Sequence, residues 1–280
     1  MNTMSQQVFN NRGVQFICLA LYALVALGCG ANTYESRLGE TVKLFEFKDK
    51  VNRALIPESG AFNDFGINFR APRVFQLMPA PPARETDDEG NPIGPVPRDN
   101  RQPNFFRTRV VLPEILGAWR ATLPVDGVEN PNNASYIYLL GNYNLHLASE
   151  LDNNVDSMGL FESFANSLRT ELGAQPPGGD EGDSNGWGTE KIPLADSYVA
   201  KKLFQAQKFQ GRSNGQDAEF HCYLHEPPES DIQVVLMFVI PTNLDRPGQL
   251  LEALDYSLQT MTVSSAKPSK RSSGAPAAGF

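Results

Sequence analysis

The chain has 280 residues and a formal net charge of -8, from 32 acidic and 24 basic side chains. This length allows one large domain or two small ones, with a core that needs no disulfide or metal to stabilise it. The acidic balance argues against nucleic acid as a partner, and the 23 glycines and 21 prolines predict a loop-rich fold.

The N-terminus has the pattern of a secretory signal peptide. Residues 1–15 are polar with Arg12 as their single charge, and Phe16–Gly28 is uninterrupted apolar sequence. This run is shorter than the ~20 residues that a transmembrane helix needs. It ends in Ala26-Leu27-Gly28-Cys29, which resembles the lipobox of bacterial lipoproteins, with Ala26 in place of the Leu most often found there.

The lipobox resemblance implies a lipid anchor. In that family the cysteine thiol receives a diacylglycerol, the signal is cleaved before it, and the new N-terminus is acylated, for example with palmitate. Cys29 would then tether the chain in the cell envelope, facing the periplasm or the exterior, because acyl chains hold a protein at a bilayer without a spanning helix. Two alternatives stay open, namely simple secretion with a chance cysteine and an uncleaved anchor.

The rest of the chain reads as one folded body followed by a polar tail. The composition of the tail and of the Pro-, Gly- and Asp-rich segments predicts that they contribute little core. The predicted organisation is a signal peptide at 1–28, a tether at 29–33, one α+β domain at 34–263 with flexible loops at 79–104 and 173–190, and a disordered tail at 264–280.

An amphipathic helix is predicted at residues 34–55. Apolar residues recur there at helical spacing in two stripes, one of Leu44, Phe47, Val51 and Leu55 and the other of Leu38, Val42 and Phe45. Pro57 ends the helix. Its polar face mixes acids and bases, which favours packing against a core or a partner over insertion into a membrane.

Strands dominate the remaining elements. Residues 66–78 predict two short strands or one bent edge strand, and residues 231–240 predict a central strand because they are apolar on both faces. Helices are predicted at 155–172, capped by Gly173, and after Pro241. The further strand candidates are 105–123, 135–147, 197–209 and 218–225, and the last helix should bury Leu250, Leu251, Leu254 and Leu258.

This order of elements predicts an α+β fold, an antiparallel sheet with helices packed on it. Two segments, GINFRAPRVF near the start and Ile232–Leu258, resemble PsbP-like domains in pattern and order. The resemblance implies an α/β/α sandwich and a role in binding or assembly.

The segment His221-Cys222-Tyr223-Leu224-His225 is the most suggestive chemical cluster. On a strand, Cys222 would face the core as a small buried hydrophobe, while His221, Tyr223 and His225 would share the other face. The two imidazoles would lie about 13 Å apart, too far to ligate one ion. We therefore predict no metal or cofactor, and we expect these three residues to lie on the surface or at an interface.

Aromatic residues supply the other interface candidates. Trp119 and Trp187 could form an exposed recognition patch, although Trp119 beside Arg120 is more typical of a half-buried strand aromatic. Trp187 in its polar loop needs a partner or a docking pocket. The acids of that loop, Asp180, Glu181 and Asp183, lack the terminal glutamate of a calcium loop and predict a solvated segment. Neither a Gly-x-Ser-x-Gly elbow nor a partner motif for His146 indicates nucleophilic catalysis.

The sequence thus favours a lipid-tethered, non-catalytic binding or assembly module with a protein partner at the membrane surface. The alternative is an envelope metal-dependent hydrolase that uses His221, His225 and nearby carboxylates. A purely structural lipoprotein is a third possibility.

Overall fold

The computed structural model describes most of the chain between residues 34 and 264. The predicted signal peptide, Cys29, the acidic residues Asp180, Glu181 and Asp183, and residues 265–280 of the predicted tail lie outside the described residues, as does part of the loop at 79–104. The described ranges are 34–57, 62–82, 93–125, 127–177, 186–194 and 197–264, with residues 85, 87 and 89.

The chain divides into two compact units, one ending at Lys50 and the other starting at Val51. The predicted N-terminal helix is confirmed as α1, residues 34–54. In the first unit the stripe of Tyr34, Leu38, Val42 and Phe45 is exposed by 49 to 68%. Leu44 and Phe47 are half-buried. In the second unit Val51 and Leu55 are buried.

The second unit contains an antiparallel sheet of seven strands in the order β2-β3-β4-β8-β7-β6-β5, while β1 pairs with β9. The strands are β1 Ile67–Asn68, β2 Gln76–Leu77, β3 Ile115–Val125, β4 Val128–Gly141, β5 Gly188–Ile192, β6 Lys202–Ser213, β7 Gln216–His225, β8 Val234–Pro241 and β9 Thr262–Val263. The helices of this unit are a 3-10 turn Asn63–Phe65, α2 Tyr143–Ser149, α3 Leu160–Leu172 and α4 Pro247–Thr260.

Helices cover both faces of the sheet, which confirms the predicted α+β class. Every residue of β8 is buried, because this central strand packs on both sides. One face carries α4 through Leu250, Leu254 and Leu258. The other face carries α3 through a second set of buried residues, Leu160, Phe164 and Leu168. Leu251 was expected to face inward but is 40% exposed.

Two predicted strands need correction. Residues 66–78 do form two short strands, yet residues 105–114 are irregular and β3 starts only at Ile115. Residues 143–147 belong to the helix α2 rather than to a strand. The chain leaves the sheet at Gly141, where a Cβ atom would lie 2.7 Å from the Leu116 side chain.

Within the part of the chain that the structure describes, no helix has the length and apolarity required to span a bilayer.

Candidate functional site

The candidate site lies on the sheet face that carries α4. His221, Tyr223 and His225 alternate along β7 with Cys222 and Leu224, so the predicted division between the two faces is confirmed. Their exposure was not predicted correctly, because His221, Tyr223 and His225 are only 5 to 9% exposed. All three are buried in this chain and none offers a free side chain to a partner.

His221 forms a pair with a carboxylate. Its Nε2 lies 2.8 Å from Oε2 of Glu219, a side chain that is 39% exposed. Burial lowers the pKa of His221, and the hydrogen bond to Glu219 opposes this shift. The same hydrogen bond lowers the pKa of Glu219. The lowered pKa of His221 and the lowered pKa of Glu219 are both consistent with a neutral imidazole that donates its Nε2–H to the carboxylate.

His225 is held by different partners. Its Nδ1 lies 2.8 Å from the backbone oxygen of Leu203, to which it donates, and its ring centroid is 4.8 Å from that of Phe204. Burial lowers its pKa as well. Across the described ranges, no group of three or more His, Cys, Asp or Glu residues is placed to hold a metal ion.

Tyr223 occupies the middle of this face. Its ring makes edge contacts with Phe204 and Phe238 at centroid distances of 6.0 and 5.8 Å. Burial, and then the negative charges of Glu190 and Asp255, raise the pKa of its hydroxyl well above the ordinary range. Tyr223 therefore stays protonated and neutral at every physiological pH.

These groups form what we call the α4-face cluster. The strand register places Lys208 opposite His221, and charges from β5 and α4 act on Tyr223. The cluster can hold protons in fixed positions. His221 is paired with the Glu219 carboxylate and His225 with the Leu203 carbonyl, so neither histidine is paired with a nucleophile. Its members are Glu190, Lys208, Glu219, His221, Tyr223, His225 and Asp255.

The expected patch of exposed tryptophans is wrong. Trp119 is 2% exposed and contacts the rings of Phe62 and Phe69 at 5.6 and 5.1 Å. Trp187 is 5% exposed, with its ring edge against Phe209. The indole Nε1 of Trp187 donates to the backbone oxygen of Gln175 at 2.8 Å, so its docking pocket is within its own chain.

One polar group was missed by the sequence analysis. The buried Asn142 side chain donates to the backbone oxygens of Ser157 and Asp231 at 2.9 and 2.8 Å, and accepts from the Gln233 backbone nitrogen at 2.9 Å. His146 Nε2 also lies 2.6 Å from the Asp231 oxygen. These bonds fix the loops after α2 and before β8, which is a structural role.

A separate cleft of about 290 Å³ lies beside the β1–β9 pair. Apart from Gly66 and Val263 its lining residues are polar, and none of the lining residues is charged. The lining residues are Asn63, Gly66, Asn68, Thr262, Val263 and Ser264.

No family model matches this chain, and no curated protein matches it. Solved structures similar to it include a Bacteroides thetaiotaomicron protein at 10% identity and a TM-score of 0.30, covering 72% of this chain and 46% of that protein. The chain thus spans less than half of that protein's length. Another is LpqN of Mycobacterium tuberculosis, involved in cell envelope biogenesis, at 12% identity and a TM-score of 0.33, covering 71% and 83%. TM-scores this low support no inference about function, and the resemblance to PsbP-like domains stays a prediction.

Proposed function

We propose that this chain is a lipid-anchored protein of the cell envelope whose folded body is a non-catalytic binding or assembly module. One observation carries the proposal. The described part of helix α1 starts at Tyr34, five residues after the predicted acylation site Cys29, and it carries an exposed apolar stripe. The stripe consists of Tyr34, Leu38, Val42 and Phe45, and we call it the α1 stripe.

The distance between anchor and stripe supports a partner at the membrane surface. Five residues of extended chain span at most about 18 Å, so the first turn of α1 would lie close to the lipid headgroups. A contiguous stripe of exposed apolar side chains is typical of a surface that binds another molecule. The α1 stripe is therefore the surface that we assign to the partner.

The α4-face cluster supports a binding role better than a catalytic one. Its histidines are buried and already paired with Glu219 and with the Leu203 carbonyl. The alternative of a metal-dependent hydrolase needs His221 and His225 to act on one ion, and their separate partners give that arrangement no support.

The lipid anchor is tested by the mass of the mature N-terminal peptide. We expect an acylated Cys29 peptide from membranes of cells that express the wild-type chain. The matched control is Cys18→Ser, inside the apolar run, which should leave acylation unchanged, whereas Cys29→Ser should abolish it. An unmodified N-terminus at any other residue would show that the chain is secreted or anchored in another way.

The binding surface is tested by a photo-crosslinking amino acid in the anchored chain. Placed at Leu38 in the α1 stripe it should give discrete protein adducts on membranes, while at Lys50, outside the stripe, it should give few. Equal adducts from both positions would exclude the α1 stripe as the binding surface.

A further inference from the structure

We propose that the partner of the α1 stripe is a second copy of this chain, and that the two α1 helices pair in parallel at the membrane surface. This inference deepens the proposed function. One of the two arguments for it, the common direction of the two helices, rests on the proposed lipid anchor. The other argument comes from the charges beside the stripe.

The α1 stripe is narrow and its two edges carry opposite charges. At 100° per residue the four stripe residues fall within an arc of about 80° on the helix surface. Within residues 34–50, two acidic side chains lie along one edge and two basic side chains lie along the other, and all four of these side chains are exposed. The acidic edge has Glu35 and Glu46, and the basic edge has Arg37 and Lys48.

This charge pattern matches a parallel pair of identical helices. When two such helices pair through their stripes in the same direction, the acidic edge of one faces the basic edge of the other. Glu46 and Lys48 are two residues apart, about 3 Å along the helix axis, so the opposite charges lie at nearly the same level. An antiparallel pair would instead place acidic edge against acidic edge and basic against basic.

The anchor sets the same direction independently. Two chains held through Cys29 in one bilayer both leave it from the N-terminal ends of their α1 helices. Their helices therefore run away from the membrane in the same sense, which is the direction that the charged edges require.

The small size of the stripe makes the pair dependent on the membrane. Four side chains bury much less than the roughly 800 Å² per partner of a standard stable interface. Confinement to a bilayer raises the effective concentration of the second copy and allows weak contacts to pair. We expect anchored chains to pair, and the unanchored Cys29→Ser chain to be monomeric at micromolar concentration.

Disulfide crosslinking tests the pairing in membranes that contain two differently tagged copies. Leu38→Cys in the stripe should give mixed-tag dimers under mild oxidation, and Lys50→Cys, the control, should give at least fivefold fewer. Cys222 is buried and does not compete for the oxidant.

Charge exchange then distinguishes a second copy from an unrelated partner. With Leu38→Cys as the reporter, Glu46→Lys places like charges across a parallel pair, and Lys48→Glu does the same. Each should lower the dimer yield at least threefold. The double exchange Glu46→Lys with Lys48→Glu should restore it, because the edges are again complementary. Since both positions are exposed, unchanged urea midpoints should verify folding.

Each result decides between the two proposals. Acylated, membrane-bound Leu38→Cys chain that forms no disulfide dimers, or single exchanges without effect, would overturn the parallel pair and leave the anchor intact. Lost dimers that the double exchange does not restore would also overturn it, in favour of another partner. If Cys29 is not acylated, the proposed lipid anchor is wrong. The same charge exchanges, made in the unanchored chain at millimolar protein concentration, then test the helix pairing by itself.

Discussion

Asn142 joins segments that are far apart in the sequence. Its side chain makes three hydrogen bonds to backbone groups in two loops, and it is fully buried. Asn142→Ala would leave the buried backbone nitrogen of Gln233 without its acceptor, at about 1–3 kcal/mol, while the Asp231 oxygen keeps its contact with His146. We expect the free energy of unfolding to fall by about 1–3 kcal/mol in urea denaturation.

Asn144 provides the matched control for that substitution. It lies in the first turn of α2 and is exposed, with a hydrogen bond from its side-chain amide to the Glu114 carboxylate. Asn144→Ala should change the free energy of unfolding by less than about 0.5 kcal/mol. Similar effects of the two substitutions would contradict a structural role specific to Asn142.

The two buried histidines of β7 make stability depend on pH. Burial lowers the pKa of His221 and His225 in the folded chain below the ordinary value of 6.5. As the pH falls below 6.5, the unfolded chain takes up these protons first, so the folded state loses stability. Burial raises the pKa of Glu114 and Asp255, and these carboxyl groups act in the opposite direction at lower pH, near 4.

We therefore expect the free energy of unfolding to decrease between about pH 7 and pH 5. His221→Gln removes one titrating group while its amide can still donate to Glu219, so the decrease should become roughly half as large. Urea denaturation at a series of pH values measures this. A decrease of unchanged size in the variant would show that His221 does not contribute to it.

At the scale of single elements, Lys202 holds the end of α4. Its Nζ donates to the backbone oxygen of Gln259 at 2.5 Å and approaches that of Leu258 at 3.5 Å. A cation near the last carbonyls of a helix stabilises them. Burial lowers the pKa of this ammonium group.

Lys202→Met should fray the last turn of α4. We expect a loss of about 1–2 kcal/mol in the free energy of unfolding, with faster amide exchange in residues 257–261. Lys191→Met on the exposed side of β5 is the control and should change stability by less than about 0.5 kcal/mol. Unchanged amide exchange in α4 of Lys202→Met would contradict this role.

The elements that the sequence predicts well are those with a clear period. β8 is apolar at every position, β7 alternates, and Gly173 ends α3 in a left-handed conformation with a φ of 69°. α2 was missed because its aromatic and apolar residues directly continue those of β4. What separates the two elements is packing at Gly141, a contact between distant residues that no local pattern contains.

The candidate site was predictable only in part. Alternation placed His221, Tyr223 and His225 on one face correctly. It could not show that α4 covers that face, nor that Glu190 from β5 and Asp255 from α4 act on Tyr223. For Trp187 the usable signal was its indole N–H, which needs an acceptor when buried and finds one in Gln175.

At the scale of the molecule, the second unit contains the whole described core. Both clusters of buried apolar residues are built from positions after Leu55. The last turn of α1, residues 51–54, belongs to the second unit. Asn52 holds this turn in place, because its Oδ1 accepts a hydrogen bond from Arg70 and its backbone oxygen accepts one from Arg73. Removing residues before Val51 therefore removes none of the residues in those clusters.

A chain that begins at Val51 should fold cooperatively. We expect its free energy of unfolding to differ from that of the full mature chain by less than about 1 kcal/mol, with an unchanged denaturant m-value. Circular dichroism should show only the loss of the deleted helix. A non-cooperative transition would show that the first unit is required for folding.

Cys222 has a further use that follows from its position. It is the single free cysteine among the described residues, it is fully buried on β7, and burial strongly raises the pKa of its thiol. Because Cys222 packs in the same buried cluster as Leu160, Phe164 and Leu168 of α3, a thiol reagent can reach it only when the fold opens on that side of the sheet. The rate at which such a reagent labels this native thiol measures spontaneous opening of the fold on intact membranes, without an engineered cysteine.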